Sequence, residues 1–337
     1  MSAERSFPSL LAQAGHVDAV HTTYYAFLHL WVGLFGTSEI ATRTPSAIAV
    51  GFLVAGVVVI GERLGGIRLG VAAGVAAILL PRITYMATEA RSYAFAAAAA
   101  TWIMVLAVRL LRGRHRRWEW IALGAAIGAA AWIFLYTVLL VVVVAVVLLV
   151  LRRDLLRSWL WTLGVAAVVA APIGIVAISQ HAQIEFLAHR SMGGIGGVLV
   201  SQWFIRPAPA IVGWVLIAAG IGLSLWRRRG RRVVLVGVVW AALPTLALLA
   251  LDLRVPVYSS RYLSFAAPAV ALLMGLGVVR IMELVRGRLL QLTAGGAVLA
   301  VAAATAAPVY LSQRGPFGQP GGADFRHGTQ PLLVRAV

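Results

Sequence analysis

GVAAGVAAILLPRITYMATEARSYAFAAAAATWIMVLAV, residues 70–108, is a pair of apolar runs interrupted midway by a carboxylate, a guanidinium and a phenol. The first run, 70–83, is broken only by Pro81 and Arg82, and the second, 94–108, carries no charge. Apolar stretches of about 17 to 25 residues are the mark of membrane-spanning helices. The two halves therefore read as consecutive spans, with Glu89, Arg91 and Tyr93 at the water interface between them. Ionisable groups this close to a bilayer are costly, which makes them functional suspects. A plainer reading stands beside that one: Thr88 caps a helix, Glu89 complements its N-terminal dipole, and Arg91 snorkels to the surface.

The same texture extends over the whole chain. Of 337 residues, 61% are hydrophobic and 12% charged, against roughly 25% charged in soluble domains. The fold class is an all-α polytopic membrane protein. Cysteine is absent, which excludes disulfides and thiolate metal sites. The net charge of +18, carried entirely by arginine, resembles a nucleic-acid signal, but the positions of the arginines decide otherwise. They gather at 112–117, 152–157, 227–232 and 280–288, in short connections between apolar runs. By the positive-inside rule these four clusters are cytoplasmic topology determinants, and no nucleic-acid partner is expected.

Spans are predicted at 44–61, 69–85, 92–111, 120–134, 135–151, 158–178, 210–226, 233–251, 263–279 and 289–311, about 10 transmembrane helices in all. The run 120–151 is long enough for a single tilted helix, but that would put one of its flanking arginine clusters outside. Two short helices turning near Leu135, Tyr136 and Thr137 keep both inside. The chain then divides into an outward-facing segment 1–43, a bundle 44–311 and a short outward tail 312–337. Tyr24 to Phe35 is apolar but too short to span, and its Tyr, His and Trp suit an interfacial helix. No signal peptide or span precedes it to carry residues 1–43 outward, so the sequence reads as lacking a first span. Seven of the acids (Glu4, Asp18, Glu39, Glu89, Glu185, Asp252 and Asp324) fall on the outer side and only Glu62, Glu119, Asp154 and Glu283 on the inner. Any chemistry is expected to face outward.

On a helix, Asp18 and His21 stand three apart and Tyr25 four further on, so they share a face. A carboxylate beside an imidazole and phenols can deprotonate a sugar hydroxyl or help hold a divalent cation, magnesium or manganese. No fixed-spacing metal motif is present, so no metal ligand is assigned. Glu89 and Tyr93, four apart, are expected on one face of the helix after Thr88, with Arg91 pointing elsewhere. Arg261 and Tyr262 close a polar loop that begins at Asp252, where an arginine fork matches phosphate oxygens; a snorkelling arginine in an aromatic belt is the alternative. His181, Glu185, His189 and Arg190, followed by glycines at 193–197, suggest an ordinary loop or a lid. No glycine-rich nucleotide motif is present, so a sugar donor would have to arrive through the membrane.

Several of these stretches have a family likeness. LFGTSEIATRTPSAIA at 34–49, HVDAVHTTYY at 16–25, TEARSY at 88–93, QIEFL at 183–187 and RYLSFAAP at 261–268 together resemble, in order, motifs of GT-C fold glycosyltransferases. The resemblance is to the bacterial mannosyltransferase-like group related to protein mannosyltransferases and aminoarabinose transferases. It implies a GT-C-like bundle that transfers a sugar, usually with inversion, from a polyprenyl-phosphate donor to a cell-envelope acceptor. It places the protein in the cell membrane with its site outward, among membrane lipid. Asp18 and Glu89 become the candidate catalytic carboxylates. His21, Tyr24, Tyr25, Arg91, Tyr93, Arg261 and Tyr262 become candidate substrate-binding residues. The acidic pair that opens the family's first outer loop has no counterpart, since Glu4 does not align with it. A transporter or lipid flippase, and a catalytically inactive GT-C-like subunit, are the rival readings; the first would require inverted repeats and midplane charges.

Overall fold

The protein is described by a computed structural model, over residues 19–112, 115–179, 194–255 and 257–314. These residues form helices α1 (Ala19–Phe35), α2 (Glu39–Gly65), α3 (Ile67–Leu79), α4 (Pro81–Thr88), α5 (Tyr93–Leu110), α6 (Arg117–Ile133), α7 (Leu140–Leu151), α8 (Leu156–Ser179), α9 (Pro207–Trp226), α10 (Arg231–Asp252), α11 (Ala267–Met282) and α12 (Arg288–Gln313). Seven of the described helices are long and apolar enough to cross a membrane, or eight if the bent pair α3 and α4 is one span. The chain is thus an all-helical, multi-pass membrane protein. The arms 120–134 and 135–151 account for much of the difference from ten. Helix α6 has 17 residues, about 26 Å of rise against a hydrocarbon core of about 30 Å. It stops at Phe134, whose φ of −160° and ψ of 111° are extended, and a 3₁₀ turn over Leu135–Leu139 leads into α7. The break falls where the hairpin was expected. Arg152 Nη1 donates to Leu111 O at 3.0 Å, so α7 returns to the end from which α6 set out.

Small residues let the helices pack closely, which is how bundles cohere where lipid offers no hydrophobic drive. Nearly all of α11 is buried, and it packs against α3, α9, α10 and α12. At Gly277 a Cβ would lie 2.1 Å from Leu216 O of α9, and at Gly275 it would lie 2.5 Å from Ala73 Cα of α3. Large apolar side chains such as Phe52, Trp102, Trp161 and Trp226 are exposed, the inside-out surface of a lipid-facing bundle.

The arginine-rich connections collect at one end. Arg109 meets Glu119 at 2.9 Å, Arg152 meets Asp154 at 2.7 Å, and Glu283 holds Arg280 at 2.7 Å and Arg227 at 3.4 Å. The opposite end gathers the α1–α2 and α4–α5 junctions, the turn after α6, residues 201–206 and the segment between α10 and α11. Helix α2 begins at Glu39, ahead of the expected span, because Ser38 caps it by accepting Ala41 N–H.

Candidate active site

Pro81 sets the geometry of this end. It cannot continue the hydrogen-bond ladder of α3, so the chain breaks at Leu80 and α4 departs at 59°. The first turn of α4 presents Arg82, which is buried. Its N–H donates to Trp203 O at 3.0 Å, its Nε to Gln202 O at 2.7 Å, and its Nη2 to Ser201 O. A buried guanidinium is thereby satisfied by carbonyls rather than by an anion. Gln202 extends the network: its Nε2 donates to Thr245 Oγ1 at 2.9 Å, and its Oε1 accepts Tyr258 Oη–H at 2.8 Å. Asp252 Oδ1 accepts the N–H groups of Val257 and Tyr258 at 2.7 and 2.6 Å. This carboxylate shapes the loop and is not a free base. Burial pushes the Tyr258 phenol up to about 12, so it stays a neutral donor.

Helix α4 ends at Thr88, whose Oγ1 donates to Tyr85 O at 2.9 Å. Glu89 follows in an extended conformation, φ −98° and ψ 133°, and α5 starts at Tyr93 behind Ser92. This corrects the sequence reading in two respects. Thr88 closes one helix instead of capping the next, and Glu89 and Tyr93 flank a turn instead of sharing a helix face. The backbone at Glu89 is pinned by Ser46 of α2, whose Oγ donates to Glu89 O at 2.7 Å. Its side chain turns inward, only 10% exposed, and Oε1 lies 3.5 Å from Arg261 Nη1. Glu89 Oε2 and Tyr85 Oη are buried neighbours, and neither completes a hydrogen bond of good geometry. Arg82 and Arg261 both pack on the Tyr85 ring, at 5.8 and 5.6 Å from its centroid. The Arg261 side chain, 36% exposed, thus reaches inward to Glu89 and the Tyr85 ring.

An aromatic wall completes the cluster. Phe134, at the break after α6, packs edge-on against Tyr93 at 5.5 Å and Tyr262 at 5.8 Å. Tyr262 stacks on Tyr136 at 5.4 Å, which donates to Val257 O at 3.4 Å. On the other flank Tyr24 of α1 is buried beside Ser46 and meets Tyr25 and Phe95 edge-on. Burial pushes the Tyr24 phenol up to about 12. Arg91 is exposed and lies beside Tyr93, Glu89 and Tyr25.

Seven sequence candidates thus converge at one end of the bundle: Tyr24, Tyr25, Glu89, Arg91, Tyr93, Arg261 and Tyr262. Asp18 lies outside the described residues, as do His181, Glu185, His189 and Arg190, and His21 is placed only as a position in α1. Among the described residues no group of three or more His, Asp or Glu side chains is arranged to hold a metal ion. Sequence reasoning missed Ser46, Tyr85, Phe134, Tyr136 and Gln202 as members, and it treated Arg82 only as an interruption. For Arg82 the signal was present: an arginine within an apolar run, directly after a proline.

Against this cluster, through Phe95, lies an apolar groove of about 340 Å³ between α1, α2 and α5, lined among others by Phe27, Trp31, Ile48, Phe52 and Trp102. Phe27 meets Phe95 at 5.3 Å, so the groove begins one aromatic ring from Tyr24.

No family model and no curated protein matches the sequence. Solved structures do match in fold. ArnT from Cupriavidus metallidurans superposes with a TM-score of 0.55 at 17% identity, over 86% of this chain and 64% of that one. ArnT has also been crystallised bound to undecaprenyl phosphate, and that structure matches with a TM-score of 0.55 at 16% identity. The Archaeoglobus fulgidus oligosaccharyltransferase, crystallised with zinc and sulfate, superposes with a TM-score of 0.56 at 13% identity, over 85% of this chain and 44% of that one. The chain spans less than two thirds of the length of these proteins. At such identities the likeness is one of architecture: the chain has a GT-C-like helical fold.

Proposed function

We propose that the protein is an integral-membrane glycosyltransferase, a mannosyltransferase in the first instance. It would move a sugar from a polyprenyl-phosphate donor to a cell-envelope acceptor on the outer side of the membrane. The observation that carries the reading is a carboxylate held at a turn within the cluster, Glu89, whose Oε1 lies 3.5 Å from Arg261 Nη1 and whose Oε2 is buried beside Tyr85. An apolar groove suited to a prenyl chain adjoins that cluster.

In this reading the acceptor hydroxyl gives its proton to Glu89 or Asp18 as its oxygen attacks the anomeric carbon. The bond from that carbon to the phosphate oxygen breaks, and its electron pair leaves with the polyprenyl phosphate. Arg261 and Arg91 take up the growing phosphate charge, which is where preorganised donors lower a barrier most. Among the described residues the ion pair of Arg261 is with Glu89 Oε1 at 3.5 Å, longer than the roughly 2.7–2.9 Å of a tight charge-assisted bond, which leaves donors of the guanidinium for a phosphate. Tyr24, Tyr25, Tyr93, Tyr262 and His21 would line the sugar and acceptor, since aromatic faces with polar tips suit both.

The same reading divides the chain into an outward segment 1–43, a spanning bundle 44–311 that includes the α6–α7 hairpin as two short crossings, and an outward tail 312–337. The arginine-rich end is then cytoplasmic. A transporter reading would claim the broken span at Pro81, but the arginine that follows the break is buried and donates to the carbonyls of residues 201–203. The test is transfer of labelled mannose from polyprenyl-phosphate mannose by purified protein in vesicles. Release of free polyprenyl phosphate that depends on added membrane-derived acceptor supports the proposal. Movement of the intact donor across the bilayer with no cleavage refutes it.

A further inference from the structure

We infer that the arginine-rich end of the bundle carries a second lipid site, for one anionic phospholipid, on the face where α3, α11 and α12 meet. An open groove of about 310 Å³ runs between these helices, lined by Ile67, Val71, Val278, Met282, Leu292 and Leu299 with Arg68 at its end. The groove exists because α12 has two glycines there. Gly295 packs on Met282, where a Cβ would lie 2.7 Å from Sδ, and at Gly296 a Cβ would meet nothing within 4 Å. The walls are suited to an acyl chain.

The charge at the groove's end selects the head group. Arg68 is exposed, and its Nη1 donates to the neutral Gln291 Oε1 at 3.2 Å. Among the described residues it forms no ion pair, a state it shares with neighbours such as Arg63 and Arg288; what sets Arg68 apart is its place in the lining of the groove. It also stands in the first turn of α3, which has no side-chain cap. A cation there adds to the positive end of the helix dipole instead of offsetting it. Of the acids at this end, Glu283 is committed to Arg280 and Arg227, Glu119 to Arg109 and Asp154 to Arg152, and the exposed Glu62 of α2 forms no ion pair with Arg68 among the described residues. An anion beside Arg68 relieves this imbalance, and an apolar groove directly below it makes a phospholipid the fitting source. The site lies at the opposite end of the bundle from Glu89, so it is independent of the proposed transfer reaction.

The experiment compares phosphatidylglycerol with phosphatidylcholine of identical acyl chains, titrated into the detergent-purified protein, with the unfolding midpoint followed by tryptophan fluorescence. One arginine near a lipid surface contributes about 1 kcal/mol, so half-maximal stabilisation should need about fivefold less phosphatidylglycerol. Arg68→Gln, which retains a side chain able to meet Gln291, should remove the preference. Gly296→Leu, which fills open space, should remove the stabilisation by both lipids. Native mass spectrometry should show one phospholipid retained per wild-type chain and fewer on either variant. Equal response to both lipids, a preference that survives Arg68→Gln, or a lipid-free dimer covering this face would overturn the inference.

Discussion

Replacing Glu89 by glutamine keeps the shape of the side chain and removes its charge, which makes it the most direct probe of the cluster. Two unit charges 3.5 Å apart attract by about 5 kcal/mol at an effective dielectric constant of about 20. The Arg261 side chain is 36% exposed, and solvent screening at that exposure brings the expected loss of folding stability down to roughly 1–2 kcal/mol. Transfer should suffer more. If Glu89 takes the acceptor proton and Arg261 faces the departing phosphate, losing either group forfeits a preorganised charge contact of about 2.7–4 kcal/mol, a hundredfold to thousandfold in turnover. Glu89→Gln and Arg261→Ala should each therefore insert, retain most of their thermal stability and lose at least about 99% of mannosyl transfer in vesicles. The double variant Glu89→Gln with Arg261→Ala should lose less than the sum of the singles, because the two residues contact each other. The reasoning is refuted if either single variant transfers sugar at a near-normal rate. It is equally refuted if the fall in transfer matches the fall in folded protein measured on the same preparation.

Three further outcomes follow from the supporting structure. Arg82→Met removes the side-chain donors to Ser201 and Gln202, at about 1.5–3 kcal/mol per charge-assisted bond, and should lower the unfolding midpoint sharply; the absence of cysteine makes intrinsic tryptophan fluorescence the convenient readout. Gly277→Ala puts a methyl 2.1 Å from Leu216 O, whereas Gly222→Ala meets nothing within 4 Å, so the first should cost about 1–3 kcal/mol and the second almost nothing. Equal effects in detergent unfolding would contradict the close approach of α9 and α11. Tyr258→Phe strips a donor from the buried Gln202 Oε1, for about 1–3 kcal/mol. Burial raises the Tyr258 phenol from 10.0 to about 12, so the stability it contributes is complete below pH 10 and disappears as pH rises through 12. The gap between wild type and variant should accordingly be flat from pH 6 to 9 and narrow only above about 10.

Much of the architecture could be read from the chain because lipid imposes one dominant rule: backbone polar groups must be satisfied within the span. Long apolar runs then have to be helices, and the arginine clusters have to lie at one end. The hairpin at Phe134 was legible for the same reason, since one long helix would have separated two clusters that the structure brings together through Arg152 and Leu111. The break at Pro81 was legible as a proline, but its consequence was not. Propensity says that a helix stops there; it does not say that the next turn will swing a buried arginine onto the carbonyls of residues 201–203, more than a hundred positions away.

The site divides along the same line. Glu89, Arg91, Arg261 and the tyrosines stood out because charged and phenolic groups at the edges of apolar runs are expensive to keep. What hid their partnership is that helical spacing says nothing about contacts between helices. Read locally, Glu89 belonged with Tyr93, four residues on; in the fold it turns the other way, toward Arg261 and Tyr85. Ser46, Phe134, Tyr136 and Gln202 hold the cluster in place, yet in sequence each is an unremarkable residue within a hydrophobic stretch. The physical reason is general: polar cost in a membrane is a property of single residues, whereas satisfaction of that cost is a property of pairs. The sequence could therefore nominate the members of this cluster, and only the packing of α2, α4, α5 and the segment before α11 could join them.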